Sequence, residues 1–155
     1  MRRPVKNRNI VGPDVLFKSP KVEKLINYVM ESGKKNIARA IVYKAFNILK
    51  EKTATDPVEV FDSAVRNVGP TVEVRSRRIG GANYQVPREV RADRRFALAL
   101  RWIVDAAKSK KGISMHKKLA DEMILASKNE GEAVKKKENT HKMAESNRAF
   151  AHLSW

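Results

Sequence analysis

The 155-residue chain has no cysteine, which excludes disulfides and thiolate metal sites. No apolar run approaches the roughly 20 residues that a membrane-spanning helix needs. No apolar segment follows the basic start, so a secretory signal is not expected and the cytoplasm is the default location. Acid is scarce: 17 Asp and Glu face 33 Lys and Arg, leaving a net charge of +16 and a pI near 10.3. A chain so loaded repels itself and is best satisfied by a polyanion, RNA or DNA ahead of an anionic membrane surface. No internal repeat marks a solenoid. Hydrophobic residues still make up 42%, enough for one folded domain with a modest core.

Groups able to do chemistry are equally thin. His116, His141 and His152 are scattered among lysines, and none shares a metal-binding spacing with a carboxylate. Asp121 and Glu122 are adjacent, hence about 100° apart on a helix, a poor acid–base pair that reads as surface or cap. Ser32, Ser63 and Ser76 have no nucleophile-elbow context. Gly33-Lys34 invites a nucleotide-loop reading, but that loop needs glycine where Tyr28 stands and Ser or Thr where Lys35 stands. No enzyme, metal or cofactor is expected.

What the chain does have is arginine in one place. Eight of its 14 arginines lie between Arg75 and Arg101, with no lysine among them. Val72, Val74 and Ile79 precede Gly80-Gly81, and Tyr84 and Val86 follow. This predicts a β-hairpin whose strands are joined by the four residues Gly80-Gly81-Ala82-Asn83, the glycines permitting φ > 0. Pro87 belongs at a strand end or edge. Arginine, with its planar fork, suits phosphate and stacked bases better than a bare charge requires.

Around the hairpin the apolar spacing predicts six helices. Residues 1–12 read as a basic arm carrying Arg2, Arg3, Lys6 and Arg8, or as an ordinary frayed end, closed by a Gly12-Pro13-Asp14 turn. Ser19-Pro20 opens the first helix, with a Val22, Leu25, Ile26, Val29, Met30 stripe stopped by Gly33. Asn36 caps the second, which buries Ile37, Ile41, Val42, Ala45, Phe46 and Leu49. Asp56 and Glu59 form a capping box for the third, with Val58, Phe61, Val65 and Val68 inward and Gly69-Pro70 at its end. Asp93 caps the fourth, turning Ala97, Leu100, Ile103, Val104 and Ala107 inward, with Lys108, Lys110 and Lys111 closing it. Ser114 caps the fifth, striped by Met115, Leu119, Ala120, Met123 and Ile124. The sixth, from Glu132, has little beyond Val134, Met143 and alanines to bury, so it is stabilised by a partner or is not very stable. The aromatic ending with Phe150, His152 and Trp155 either docks on another protein or folds back.

A helical body with a basic β-arm fits an RNA-binding structural protein or an architectural DNA binder. Minor-groove arms carry an apolar wedge at the tip. This tip has none, whereas Tyr84 is placed to stack on an exposed base, which favours RNA.

At these residues VEVRSRRIGGANYQVPREV and RRFALALRWI, with GKKNIARAIVYKA at 33–45 and the ending GEAVKKKENTHKMAESNRAFAHLSW, closely resemble the bacterial small-ribosomal-subunit protein "S seven" family over essentially the full length. The resemblance implies a six-helix body with a hairpin arm. It implies direct, early binding of small-subunit rRNA, nucleation of the subunit head, and a place near the exit-site tRNA and mRNA path. Implied protein partners are small-subunit proteins "eleven" and "nine". The expected rRNA surface comprises Arg2, Arg3, Lys6, Arg8, Lys34, Lys35, Arg75, Arg77, Arg78, Arg91, Arg94, Arg95, Lys110 and Lys111, although Lys34 and Lys35 read equally well as solvated surface. Ile79, Gly80, Gly81, Ala82, Asn83 and Tyr84 form the tip expected near tRNA and mRNA. Arg148, Phe150, His152 and Trp155 are expected to meet the protein partner. The expected organisation is one rRNA-binding domain, 1–155, with the hairpin arm at 72–90 and the polar helix and tail at 132–155.

Overall fold

The structure is a computed structural model and describes residues 10–153. Arg2, Arg3, Lys6, Arg8 and Trp155 therefore lie outside the described residues. Within them run α1 (Pro20–Val29), α2 (Lys35–Thr53), α3 (Pro57–Val68), β1 (Val72–Ile79), β2 (Ala82–Glu89), α4 (Ala92–Ser109), α5 (Met115–Ser127), α6 (Glu132–Ser146) and a 3₁₀ helix, Arg148–Leu153. The expected helical body with a two-stranded arm is what forms.

α5 is the centre of the body, packed against α2, α3, α4 and α6. Its Leu119, Ala120, Met123 and Ala126 are fully buried, and they meet a core built on Phe46 of α2, Phe61 of α3 and Leu100 and Ile103 of α4. The rings of Phe46 and Phe61 lie 5.8 Å apart. Truncating either would cost about 3–5 kcal/mol, because a packed interior does not close over a lost ring.

Several helix boundaries move from their expected places. α1 ends at Val29, with extended Met30 as its cap. Gly33, at φ +73°, instead turns the chain into α2. Lys34, not Asn36, occupies the cap position of α2. Ile37 is 58% exposed, because the buried line runs through Ala38, Val42, Ala45 and Leu49 and the helical period turns Ile37 away from it. The Asp56 carboxylate accepts the N–H of Val58 at 3.0 Å, one position earlier than a capping box places that bond. In α3, Val60 and Ala64 are buried while Val58 and Val65 are half-buried. Arg91 takes the cap position of α4, leaving Asp93 in the first turn, where its charge complements the dipole. Trp102 is buried as well. In α6, Met143 is 53% exposed, and Ala133, Val134 and Ala144 are the buried residues.

The chain before α1 is pinned, with the turn at Val15–Phe17 instead of at Gly12-Pro13. The buried Asp14 carboxylate accepts the N–H groups of Leu16 and Phe17, both at 3.1 Å, and the hydroxyl of Tyr43 at 2.8 Å. Burial pushes its pKa up, but the hydrogen bonds from Phe17, Tyr43 and Leu16 outweigh that and leave it below the ordinary carboxylate value. Phe17 then reaches Phe46, ring centroids 4.9 Å apart.

The arm is a tighter hairpin than expected. Ala82 and Asn83 are strand residues paired with Ile79 and Arg78. Only Gly80 and Gly81 connect the strands, at φ +56° and +90°, the positive angles that a two-residue primed turn demands.

Candidate nucleic-acid interface

Side chains in a strand alternate between faces. Glu73, Arg75, Arg77 and Ile79 therefore share one face of the hairpin with their cross-strand partners Arg88, Val86, Tyr84 and Ala82. Arg78 and its partner Asn83 lie on the other face. Arg75, Arg77 and Arg78 thus do not make one continuous patch.

The base of the arm is where charge gathers. Glu73, 9% exposed, accepts Arg75 Nε at 2.8 Å with Oε1. Its Oε2 accepts Arg94 Nε and Nη2, each at 3.3 Å. The side chains of Arg75 and Arg94 remain 51% and 43% exposed. Arg88, opposite Glu73 in the register, and Arg91, at the start of α4, are exposed as well; Arg78 is exposed on the other face, near the tip. Arg95 is used differently. Its Nε donates to the Gly69 carbonyl at 3.1 Å and its Nη2 to that of Arg66 at 3.4 Å, so it closes the end of α3 with a cation where the dipole favours one. A Cβ on Gly69 would come within 2.9 Å of Arg95 Cγ and Nε, so glycine is what lets that side chain lie there.

The remaining expected RNA-facing residues are dispersed. Lys35 pairs with Glu23, a buried acid that also faces Arg39 at 4.0 Å. Lys34 is exposed and lines a cavity with Lys108 and Lys118 over Ile37, Ile41 and Met115. Lys110 is the counter-charge of Glu122, at 2.6 Å, while Lys111 is exposed. At the tip, Gly80, Gly81, Ala82 and Asn83 are exposed and Ile79 is half-buried.

Tyr84 already has an aromatic neighbour and is half-buried. Its ring packs on Phe150 with centroids 5.4 Å apart, and the neighbouring Arg77 Nη1 donates to the Leu153 carbonyl at 3.5 Å. The described tail thus folds back on β2. Arg148 pairs with Glu145 at 3.5 Å, and the His152 ring meets the Ala149 carbonyl at 2.9 Å; both are exposed.

Residues whose role the sequence did not show turn out to fasten α6, which finds its partner in its own body. Glu122, read as surface or cap, is fully buried and accepts the Ala133 N–H of α6 at 3.1 Å. Lys137 donates to the Asn67 carbonyl at 2.8 Å, and Asn67 donates to the carbonyls of Ala126 and Ser127, both at 2.9 Å. His141 Nε2 accepts the Thr71 N–H at 3.1 Å just before β1. Burial, then Lys137 and Arg95, pushes the His141 pKa below its ordinary value, in keeping with a neutral ring accepting that bond. At the arm, Glu73 did leave a sequence signal, as the one acid on the arginine face of β1.

Among the described residues no cluster of metal-ligating side chains occurs, and no helix is long and apolar enough to cross a membrane. A helical body bearing an arginine-lined β-arm, in a chain of net charge +16, defines a basic protein built to meet a polyanion. The comparisons narrow that class. Residues 1–148 match the family described as Ribosomal protein S7p/S5e. The chain is 59% identical to the Small ribosomal subunit protein uS7 of Thermotoga maritima over 155 residues, all of both chains. It is 57% identical to the uS7 protein of Thermoanaerobacter sp. over 148 residues, 96% of this chain and 95% of that one. With that of Carboxydothermus hydrogenoformans it shares 56% over 154 residues, 99% and 98% of the two chains. The chain belongs to the Ribosomal protein S7p/S5e family, and so is a structural component of the small ribosomal subunit and not an enzyme.

Proposed function

We propose that the chain is a single-domain protein that binds small-subunit rRNA directly and early, and nucleates assembly of the subunit head in the cytoplasm. The observation that carries this reading is the arginine cluster at the base of the arm, where Arg75 and Arg94 are anchored yet half exposed and Arg88 stands opposite Glu73 in the register; Arg91 is exposed at the start of α4, and Arg78 adds an exposed cation nearer the tip, on the other face. Arg95 and Lys110 serve the protein's own structure first, through the end of α3 and through Glu122. Lys34, Lys35, Lys111 and the arm of Arg2, Arg3, Lys6 and Arg8 extend the surface. The tip, Ile79–Tyr84, lies beside the exit-site tRNA and the mRNA path. RNA is preferred over DNA because the exposed tip has no apolar wedge; Tyr84, half-buried against Phe150, stands beside it.

Binding to the cognate rRNA fragment will fall steeply with salt. Each neutralised phosphate releases counterions, with a slope of about −0.7 per phosphate on single strands. Neutralising six or more gives a log–log slope steeper than roughly −4. Filter binding from low to physiological salt measures it, and a nearly flat titration overturns the reading.

The C-terminal segment, with Arg148, Phe150, His152 and Trp155, is the proposed docking site for small-subunit protein "eleven", with "nine" as a further neighbour. Removing Arg148–Trp155 should spare rRNA binding and weaken capture by "eleven". It should also lower Tm by a few degrees, because Phe150 leaves Tyr84 and an aromatic pair is worth about 0.5–1.5 kcal/mol. The pull-down decides: unchanged capture rejects the docking role.

A further inference from the structure

Glu73 is an acid in the middle of the proposed polyanion surface, where charge alone disfavours one. Its location is specific. It sits on β1 opposite Arg88 in the register, two residues from Arg75 and on the same face. It is also within reach of Arg94 in the first turn of α4. Each carboxylate oxygen is used, Oε1 by Arg75 and Oε2 by two nitrogens of Arg94. Glu73 is nearly buried, yet both arginines stay about half exposed.

A guanidinium carries five N–H donors in a rigid fork. Glu73 takes one donor of Arg75 and two of Arg94, all on the inner side. It thereby links a strand of the arm to the helix that follows it. We infer that Glu73 is a positioning residue for rRNA recognition: it fixes the Arg75 and Arg94 guanidinium planes so that their remaining donors are presented together to the RNA backbone. An arginine held in place surrenders less side-chain freedom on binding, which is how preorganisation raises affinity. The inference rests on the proposed rRNA-binding function and adds to it a determinant of specificity.

The test turns on sign. Glu73→Gln removes a negative charge, so electrostatics alone predicts tighter binding to every polyanion. Positioning predicts opposite responses: about fivefold to tenfold weaker binding to the cognate rRNA fragment, near the low end for one forked interaction, and equal or tighter binding to poly(U). Arg94→Lys, which keeps the charge but loses the fork, should weaken cognate binding similarly and leave poly(U) unchanged. In an Arg75→Ala/Arg94→Ala background, Glu73→Gln should change cognate affinity no further. Circular dichroism and melting check each variant's fold. Cognate binding by Glu73→Gln and Arg94→Lys that matches or exceeds the unmodified chain overturns the inference. Failure of the unmodified chain to prefer the cognate fragment overturns the rRNA-binding reading instead.

Discussion

Glu122→Ala is expected to destabilise the fold by about 3 kcal/mol and to loosen α6 before the rest. The side chain is fully buried. One carboxylate oxygen accepts the Ala133 N–H at 3.1 Å, supplying from another helix the cap that Gly131 cannot give α6. The other faces Lys110 Nζ at 2.6 Å. Removing the acid strands a cation and opens a helix end at once. Breaking a buried pair costs about 3–5 kcal/mol, and the lower end applies because the Lys110 side chain keeps 30% exposure. Gly131 belongs to the same corner. It sits at φ +96°, and a Cβ there would come within 2.8 Å of Glu122 Oε1, so only glycine leaves room for the carboxylate. In a domain of this size 3 kcal/mol corresponds to a fall in Tm of about 6–12 °C. Thermal melting reads the total, and hydrogen exchange shows whether α6 amides open first. A Tm change under about 2 °C contradicts this account.

The same residue shows where a sequence stops being legible. The first five helices are visible as apolar stripes, because burial in a shared core imposes the 3.6-residue period on each, whereas α6 buries too little to show one. The hairpin is visible because the β-prone runs flank two glycines. What escapes are ties between elements distant along the chain. Nothing local to Glu122 names Lys110 or the Ala133 N–H as its partners, and nothing local to His141 names Thr71. Ile37 and Met143 are expected inside because hydrophobicity reports what a side chain tolerates, not what stands opposite it. Tyr84 reads as a ring for an exposed base, and Phe150 belongs to an ending that either docks on another protein or folds back. Only the fold brings them together, making Tyr84 a seat for the tail. The starts of α2 and α4 shift to Lys34 and Arg91, which cap without a side-chain bond.

Replacing Arg77 and Arg78 together by alanine is expected to weaken cognate rRNA binding by about 1–3 kcal/mol for each forked arginine–RNA interaction removed, at least fivefold and more if both residues touch RNA. The body should stay folded, since its core lies in the helices and exposed substitutions usually cost little. The register makes the single variants more informative than the double. Arg77 and Arg78 project from opposite faces of β1, and Arg77 also reaches the tail through the Leu153 carbonyl. If RNA covers one face, one single variant should carry nearly the whole effect; if the arm inserts between RNA segments, the two effects should add. Arg77→Ala should in addition lower Tm slightly and release the tail, an effect Arg78→Ala lacks. Filter binding of the two singles and the double at one fixed salt concentration resolves these outcomes. Unchanged affinity in the double variant, with the circular dichroism of the unmodified chain, would remove the arm from the RNA surface.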